Sequence, residues 1–377
     1  MFDTLIQYWQ LTGDTKYNNI VTEALVAQKG LNNDFMPSNQ TKTEGNDDQA
    51  FWALAAMSAV EAQLPESANA SWLSLAEAVF NDQVSRWDTA TCDGGLRWQI
   101  FAFNSGYSYK NAVSNGMFFQ LASRLARYTG NSTYSEWASK AYTWSKDVSF
   151  IDSKFNVFDG ADVSTNCTNI DKIQFSSTAG SYIAGAAYMY NTTSGSSEWK
   201  AALDSLLNQT LSVFFPSSIA IEVACETQDT CDVDQKAMKG ILAQQLTSAI
   251  KLAPYTTALI LPNLNATAQA AAKACSETGT DCGIDWSKSD ASASGTGLGQ
   301  QLTALSYVQA LLVGQASDAV ASSSVGSNGT TTTGSSSTTS SSPNSTTTKS
   351  AAVMSFGGHI SSVFMMGLFG AAAWIVL

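Results

Sequence analysis

Two kinds of apolar pattern alternate along the chain. In the first, apolar positions recur at three- and four-residue spacing behind a short polar turn: TGDTKYNNIVTEALVAQ, SANASWLSLAEAVF, TGNSTYSEWASKAYTW, SGSSEWKAALDSLL and NATAQAAAKAC. That spacing predicts helices with one buried face. Asx, Ser or Thr residues precede each helix and supply caps for its first unpaired N–H groups. The aromatics Tyr17, Trp72, Trp137 and Trp199 near the helix starts lie 55, 65 and 62 residues apart. The second pattern is apolar or small nearly all round: MFDTLIQYWQ, NDDQAFWALAAMSAVEAQ, NAVSNGMFFQLASRLARY, SSTAGSYIAGAAYMY, DQKAMKGILAQQLTSAI and GQQLTALSYVQALL. Such helices are buried on both sides. Their starts recur about every 60 residues, so the chain is a helical repeat.

Six inner and five outer helices in alternation predict an all-α fold, an (α/α)6 toroid of six helical hairpins, over residues 1–318. An open α-solenoid is the alternative. The count leaves the first outer helix missing, so a twelfth helix is expected upstream, with Met1 an internal methionine. In a closed ring the inner helices run in one direction and their N-terminal ends meet at one rim. The loops entering them are the long ones, NNDFMPSNQTKTEGNDDQ, CDGGLRWQIFAFNSGYSYKNAVSNG, FDGADVSTNCTNIDKIQFSSTAG and ACETQDTCDVDQ. They are rich in Asp, Asn, Gly and aromatic residues. Aromatic faces with planar polar groups describe a carbohydrate cleft, and a pocket with convergent polar groups is the default site.

Composition narrows the chemistry. Net charge is −12 and the pI is near 4.5, which excludes a nucleic-acid partner, since phosphate binding needs clustered Lys and Arg. The only histidine, His359, lies in the C-terminal apolar tail. No Ser-His-Asp triad, Cys-His pair or His-ligated metal site is therefore available to the helical region. Acid/base chemistry falls to carboxylates, and no cofactor or metal is expected.

Six cysteines, Cys92, Cys167, Cys225, Cys231, Cys275 and Cys282, allow three disulfides in 15 pairings. Cys225/Cys231 and Cys275/Cys282 are close enough to close small loops, which would leave Cys92/Cys167. Nine N-x-[ST] sequons, at Asn39, Asn69, Asn131, Asn166, Asn191, Asn208, Asn265, Asn328 and Asn344, point to the secretory pathway. Residues 319–350 are dominated by Ser and Thr and read as a disordered, O-glycosylated stalk. Residues 351–377 end in VFMMGLFGAAAWIVL, the pattern of a GPI-anchor signal, with Asn344 or Ser350 as the attachment residue. A tail-anchored membrane helix is the rival, but the apolar stretch is short for a span of ~20 residues. The expected location is the extracellular face of the plasma membrane or the cell wall. MFDTLIQYWQ is not a signal peptide.

The candidate chemistry centres on TEGNDDQAFW. Asp47 and Asp48 sit at the first turn of an inner helix, where the helix dipole favours acids by about 0.3–1 kcal/mol each. Asn46 with Gln49 resembles a capping box. The pair also fits glycoside hydrolysis. Neighbouring helical residues have Cβ atoms roughly 5–6 Å apart, and retaining glycosidases hold their carboxyls about 5–5.5 Å apart. One carboxylate attacks the anomeric carbon while the other protonates the leaving oxygen, and mutual repulsion with unequal burial splits their pKa values. Asn46 and Asp34 on the same rim are candidate sugar ligands, with turn formation the rival role for Asp34. Trp98 in GGLRWQIF is the candidate stacking ring. Asp159 in FDG and Gln174 before the fourth inner helix complete the rim. Asp232 and Asp234 in CDVDQ resemble metal ligands in isolation, but no calcium-loop pattern surrounds them and capping accounts for them.

The blocks NNDFMPSNQTKTEGNDDQAFWALAAMSAVE and FNDQVSRWDTATCDGGLRWQIFAFNSGYSYKNAVSNGMFFQLASRLARYTGN resemble fungal glycoside hydrolase family 76. Within it the chain is most similar to the GPI-anchored cell-wall mannosidase-like proteins, from Met1 to about Leu312. The resemblance implies an (α/α)6 fold and a retaining mannan endo-1,6-alpha-mannosidase acting on α-1,6-linked mannose. It implies Asp47 as nucleophile and Asp48 as general acid/base, and adds Lys110, Asn111 and Asn115 of YKNAVSNG as substrate ligands. It also implies transfer of a GPI-core glycan to a β-glucan acceptor in wall assembly. Family members carry a signal peptide and a first helix upstream of the segment that matches Met1. The alternatives are a catalytically silent mannan-binding wall protein and an inverting hydrolase on the same toroid.

Overall fold

The computed structural model describes residues 1–40, 42–276, 281–287 and 297–315. The stalk and anchor-signal assignments, the sequons at Asn328 and Asn344, and His359 lie outside the described residues. Among those described, no helix is long and apolar enough to cross a membrane.

Among the described residues eleven α-helices follow one another: α1 (Phe2–Thr12), α2 (Asn18–Gln28), α3 (Asn46–Glu61), α4 (Trp72–Ser85), α5 (Ala112–Thr129), α6 (Ser132–Asp147), α7 (Ser176–Thr192), α8 (Ser197–Phe214), α9 (Gln235–Leu252), α10 (Thr257–Lys273) and α11 (Leu298–Ala310). The odd-numbered helices form the inner ring. Each packs on the next, and α11 closes onto α1. Hydrogen bonds stitch that closure: Gln309 Nε2 of α11 donates to Gln7 Oε1 at 3.1 Å, and Gln244 Nε2 of α9 donates both to Thr4 Oγ1 of α1 at 2.8 Å and to Ser306 Oγ of α11 at 3.0 Å. The even-numbered helices lie outside. The fold is the all-α toroid that the pattern predicts.

The two layers differ as their sequences require. Outer helix α8 buries one stripe, Trp199, Ala202, Leu203, Leu206, Leu207, Leu211 and Phe214. Inner helix α7 is buried along its length from Ser176 to Met189. Small residues let inner helices approach closely. A Cβ on Gly240 of α9 would lie 2.6 Å from the Cα of Thr303 in α11, so a side chain there would force the ring apart. The caps read from sequence recur at Asn131, which accepts from Thr133 N at 3.0 Å, and at Ser196, which accepts from Trp199 N at 3.3 Å.

Two features differ from the sequence pattern. Helix α10 begins at Thr257, eight residues before the cap expected at Asn265, and contains Pro262. Burial of Ile260 and Leu264 holds its first turns, although proline removes one backbone hydrogen bond. A small antiparallel sheet, β1 (Tyr109–Asn111), β2 (Gly160–Asp162) and β3 (Ile170–Asp171), joins the loops that enter α5 and α7.

The disulfides are Cys92–Cys167, Cys225–Cys231 and Cys275–Cys282. The first ties the same two loops together beside the sheet. All seven sequon asparagines in the described residues are exposed, as glycan attachment requires.

Candidate active site

The inner helices open onto a cavity of about 680 Å3 at their N-terminal ends. Five of the six inner helices contribute to its wall, with Met1 just ahead of α1: Asp47, Asp48 and Phe51 of α3, Val113 of α5, Ser177 and Thr178 of α7, Met238 and Ile241 of α9, and Leu302 of α11. Loop and strand residues complete it, notably Trp98, Tyr109, Asn111, Asp159, Asp232 and Asp234.

The aspartate pair stands on the first turn of α3. The N-cap is Gly45, not Asn46, and Asp48 fills the capping-box position: its Oδ2 accepts the Gly45 N–H at 2.7 Å. The Asp48 N–H donates to Asp47 Oδ1 at 3.1 Å. Neither carboxyl forms an ion pair among the described residues. Asp47 is half-buried against the cavity wall and Asp48 is exposed to the cavity. Burial and then the Asp48 charge push the Asp47 carboxyl up to about 7, against the lowering effect of backbone N–H groups and the Trp98 side chain. Burial also raises Asp48; the Gly45 N–H opposes this and the Asp234 charge adds to it. Two acids this closely coupled titrate as one system, and together they retain a proton into the neutral range. In the free protein the larger shift falls on Asp47, the residue that the family resemblance casts as the ionised nucleophile.

Three further candidates line the same cavity. Trp98, 38% exposed, presents its ring there. Its backbone is fixed between β1 and the start of α3, with its N–H donating to Tyr109 O at 2.8 Å and its carbonyl accepting from Asn46 N at 2.9 Å. Asn111 caps α5 and accepts from Ser114 N at 3.3 Å. Asp159 accepts a 2.7 Å hydrogen bond from the Tyr109 hydroxyl, and burial raises its pKa.

Five sequence candidates do not line the cavity wall. Lys110 is fully buried; its ammonium donates to the carbonyls of Asp88, Thr91 and Gly94 at 2.6–2.9 Å and pairs with the Asp88 carboxylate at 3.3 Å. It staples the Trp98 loop from behind. Asn115 clasps Leu96, accepting its N–H at 2.8 Å and donating to its carbonyl at 3.0 Å. Asn46 donates to Arg97 O at 2.9 Å and accepts from Arg86 at 2.6 Å. Asp34 is buried in a turn, its Oδ1 accepting from Met36 N at 3.1 Å. Gln174 is half-buried and absent from the wall. Asp232 forms a reciprocal cap with Gln235, with bonds of 2.8 and 3.0 Å. No metal-holding cluster occurs among the described residues.

The sequence reading missed Tyr109, Phe51, Phe175, Ser177 and Thr178 on the wall. Strand alternation was the available signal for Tyr109. In YKN the outer two side chains face the cavity and the middle one turns away.

Known proteins match both sequence and fold. The model of glycosyl hydrolase family 76 matches residues 1–324. The mannan endo-1,6-alpha-mannosidase DFG5 of Saccharomyces cerevisiae is 44% identical over 319 residues, covering 83% of this chain and 69% of that protein. The mannan endo-1,6-alpha-mannosidase DCW1 of Candida glabrata is 46% identical over 308 residues, covering 80% and 68%. The crystal structure of Dfg5 from Chaetomium thermophilum in complex with glucosamine superposes with a TM-score of 0.82 at 40% identity, covering 86% of this chain and 81% of that one. An alpha-1,6-mannanase of Salegentibacter, solved with alpha-1,6-mannotriose, shares the fold at a TM-score of 0.67 and 19% identity, covering 83% and 87%. With its toroid, its cavity and a family match spanning nearly all of its described residues, the chain belongs to glycosyl hydrolase family 76.

Proposed function

We propose that the protein is a retaining glycosidase of the mannan endo-1,6-alpha-mannosidase type, with Asp47 and Asp48 as its catalytic acids. The observation that carries this is the adjacent, cation-free pair on the wall of a cavity whose other groups suit a sugar: one partly exposed indole, several hydroxyls and a few carboxylates. The relatives' names supply the linkage and the sugar.

In the first step the Asp47 carboxylate attacks C1 of the mannoside as the C1–O6 bond breaks, and Asp48 gives its proton to the departing oxygen. The Trp98 side chain and the Asp48 backbone N–H stabilise Asp47 as an anion. Substrate entry must therefore leave the shared proton on Asp48, which faces the open cavity. In the second step Asp48 takes a proton from water or a sugar hydroxyl as that oxygen attacks C1, and Asp47 leaves as a carboxylate. Attack by a hydroxyl makes the enzyme a transglycosidase. A GPI-core glycan as donor, a β-glucan as acceptor, and anchorage at the wall or outer membrane face are the biological setting we assign to it, from the anchor-signal pattern, the sequons and the family resemblance.

The test is the anomer first released from an α-1,6-mannooligosaccharide, followed by NMR. We expect the α anomer. A β anomer would establish inversion, and no product with binding retained would establish the silent wall protein. Adding a β-glucan oligosaccharide and weighing the products then separates transfer from hydrolysis.

A further inference from the structure

The rim beside the cavity carries an aromatic pair that the proposed reaction does not use. Phe101 and Phe103 lie in the turn between Trp98 and β1, their ring centroids 5.3 Å apart and their planes 14° from parallel. Phe103 is 69% exposed. An apolar ring held in water forgoes the gain from burial, and the turn is braced rather than loose. The Asn104 N–H donates to Phe101 O at 3.0 Å. Asn104 Nδ2 donates to Lys42 O at 2.9 Å and to Gln99 Oε1 at 3.0 Å. The bond to Lys42 fastens the turn to the segment that leads into Gly45 and the aspartate pair. On its other side the turn presses Gly106 against the Trp98 ring. The phenylalanines therefore sit on the braced turn that packs against Trp98, outside the residues that line the cavity.

We infer that Phe101 and Phe103 form an outer sugar subsite, which stacks a pyranose of the bound oligosaccharide just beyond Trp98. This rests on the carbohydrate reading of the cavity. A pyranose offers a C–H face to an aromatic ring while its hydroxyls stay in water, so the exposed ring meets its apolar need without a closed pocket. The adjoining wall, with Asp47, Asp48 and Asp234, disfavours an anionic partner and suits a neutral sugar chain.

The test is equilibrium binding of α-1,6-mannooligosaccharides of increasing length to the full chain carrying Asp47→Asn, which slows turnover about a thousandfold. Affinity should rise with length until the chain reaches Phe103 and then level off. Phe103→Ala and Phe101→Ala should each remove that last increment, about three- to tenfold, and leave the shortest ligands unaffected. Phe103→Trp should restore it. Thermal melting confirms that each variant is folded, as expected for a rim substitution. An increment that survives both alanine variants would overturn the outer subsite and leave the cavity assignment standing. Failure of every mannoside to bind would overturn both. Loss of binding to phosphatidylcholine vesicles in Phe103→Ala, with unchanged sugar affinity, would reassign the pair to a lipid surface.

Discussion

Helix α3 carries carboxyl groups at both ends, and their surroundings are opposite. At the C-terminal end Glu61 is buried beneath the cavity, where its carboxylate accepts from Arg124 at 2.9 and 3.1 Å and from the Tyr188 hydroxyl at 2.7 Å. Arg124 also donates to Leu54 O and to Ser58 Oγ, and the Glu61 charge drives its pKa upward. At the N-terminal end Asp47 and Asp48 have no cation among the described residues, only N–H donors and each other. A buried acid matched by a guanidinium serves the fold. An acid pair held without a cation keeps a proton near neutrality, and that proton can be given to a substrate. Charge compensation, more than burial, separates the proposed catalytic acids from the structural one.

Removing an acid at each end should break different things. Asp47→Asn and Asp48→Asn should each lower kcat/KM by about a thousandfold, while the melting temperature at neutral pH stays level or rises, because one repelling carboxyl is gone. Turnover within tenfold of the unsubstituted enzyme would move the chemistry elsewhere. Glu61→Gln leaves Arg124 buried without its partner and should cost about 3–5 kcal/mol in denaturant unfolding. Its kcat per folded molecule should hold. A variant of Glu61 that was fully stable but inactive would erase the contrast between the two ends.

The pH dependence sharpens the contrast further. The proposed reaction needs one proton on the aspartate pair, so kcat/KM should fall as pH rises through about 7, where Asp47 titrates. Stability should also be greatest in acid. Burial raises Glu44 to about 7 and Glu222 to about 8, from an ordinary 4.5. Such groups contribute stability that is complete below 4.5, where both states are protonated. It is lost progressively as the pH rises to 8, where the folded form must also ionise. Glu222 accepts the Ser176 N–H at 3.1 Å and also binds its hydroxyl. Glu222→Gln keeps an acceptor there but cannot ionise, so it should flatten the fall in melting temperature between pH 5 and 8. An unchanged slope would locate the dependence in Glu44 and the aspartate pair. Asp88 runs the other way. Its hydrogen bonds from Thr91 and Ala90 and its Lys110 and Arg97 partners hold it near 2, so its contribution is lost only in stronger acid.

The ring itself was legible in the sequence because helices buried on one face and helices buried on both leave different apolar patterns. All eleven helices were readable, and only α10 started far from its apparent cap, since Pro262 hid the first turns. The site was legible where a residue's position on a helix decides its direction, as for Asp47 and Asp48. It was less so in the loops. Lys110 and Asn115 sit in a conspicuous polar block, yet both are spent on backbone carbonyls behind the wall. A lysine one strand position from two cavity residues points away from the cavity, and only the pairing of β1 with β2 fixes that direction. Asn46 and Asp34 likewise build the turn that aims the pair. No local pattern distinguishes a polar side chain that binds substrate from one that holds the loop that does.

The smallest expected effect isolates binding from chemistry. Gly106 has φ +91°, and a Cβ there would collide with the Trp98 ring. Gly106→Ala should therefore cost about 1–2 kcal/mol in backbone strain and also displace the indole. Gly130 has φ +72° with nothing within 4 Å, so Gly130→Ala carries the backbone cost alone and is the control. KM for a mannoside should rise several-fold in Gly106→Ala and not in Gly130→Ala, with kcat changed little. Trp98 also holds Asp47 down through a side-chain hydrogen bond. Losing that bond should lift the Asp47 pKa and move the alkaline limb of the rate profile upward. A KM change without that movement would mean that Trp98 stacks on the sugar but does not tune the acid, leaving burial and Asp48 to set the proton affinity.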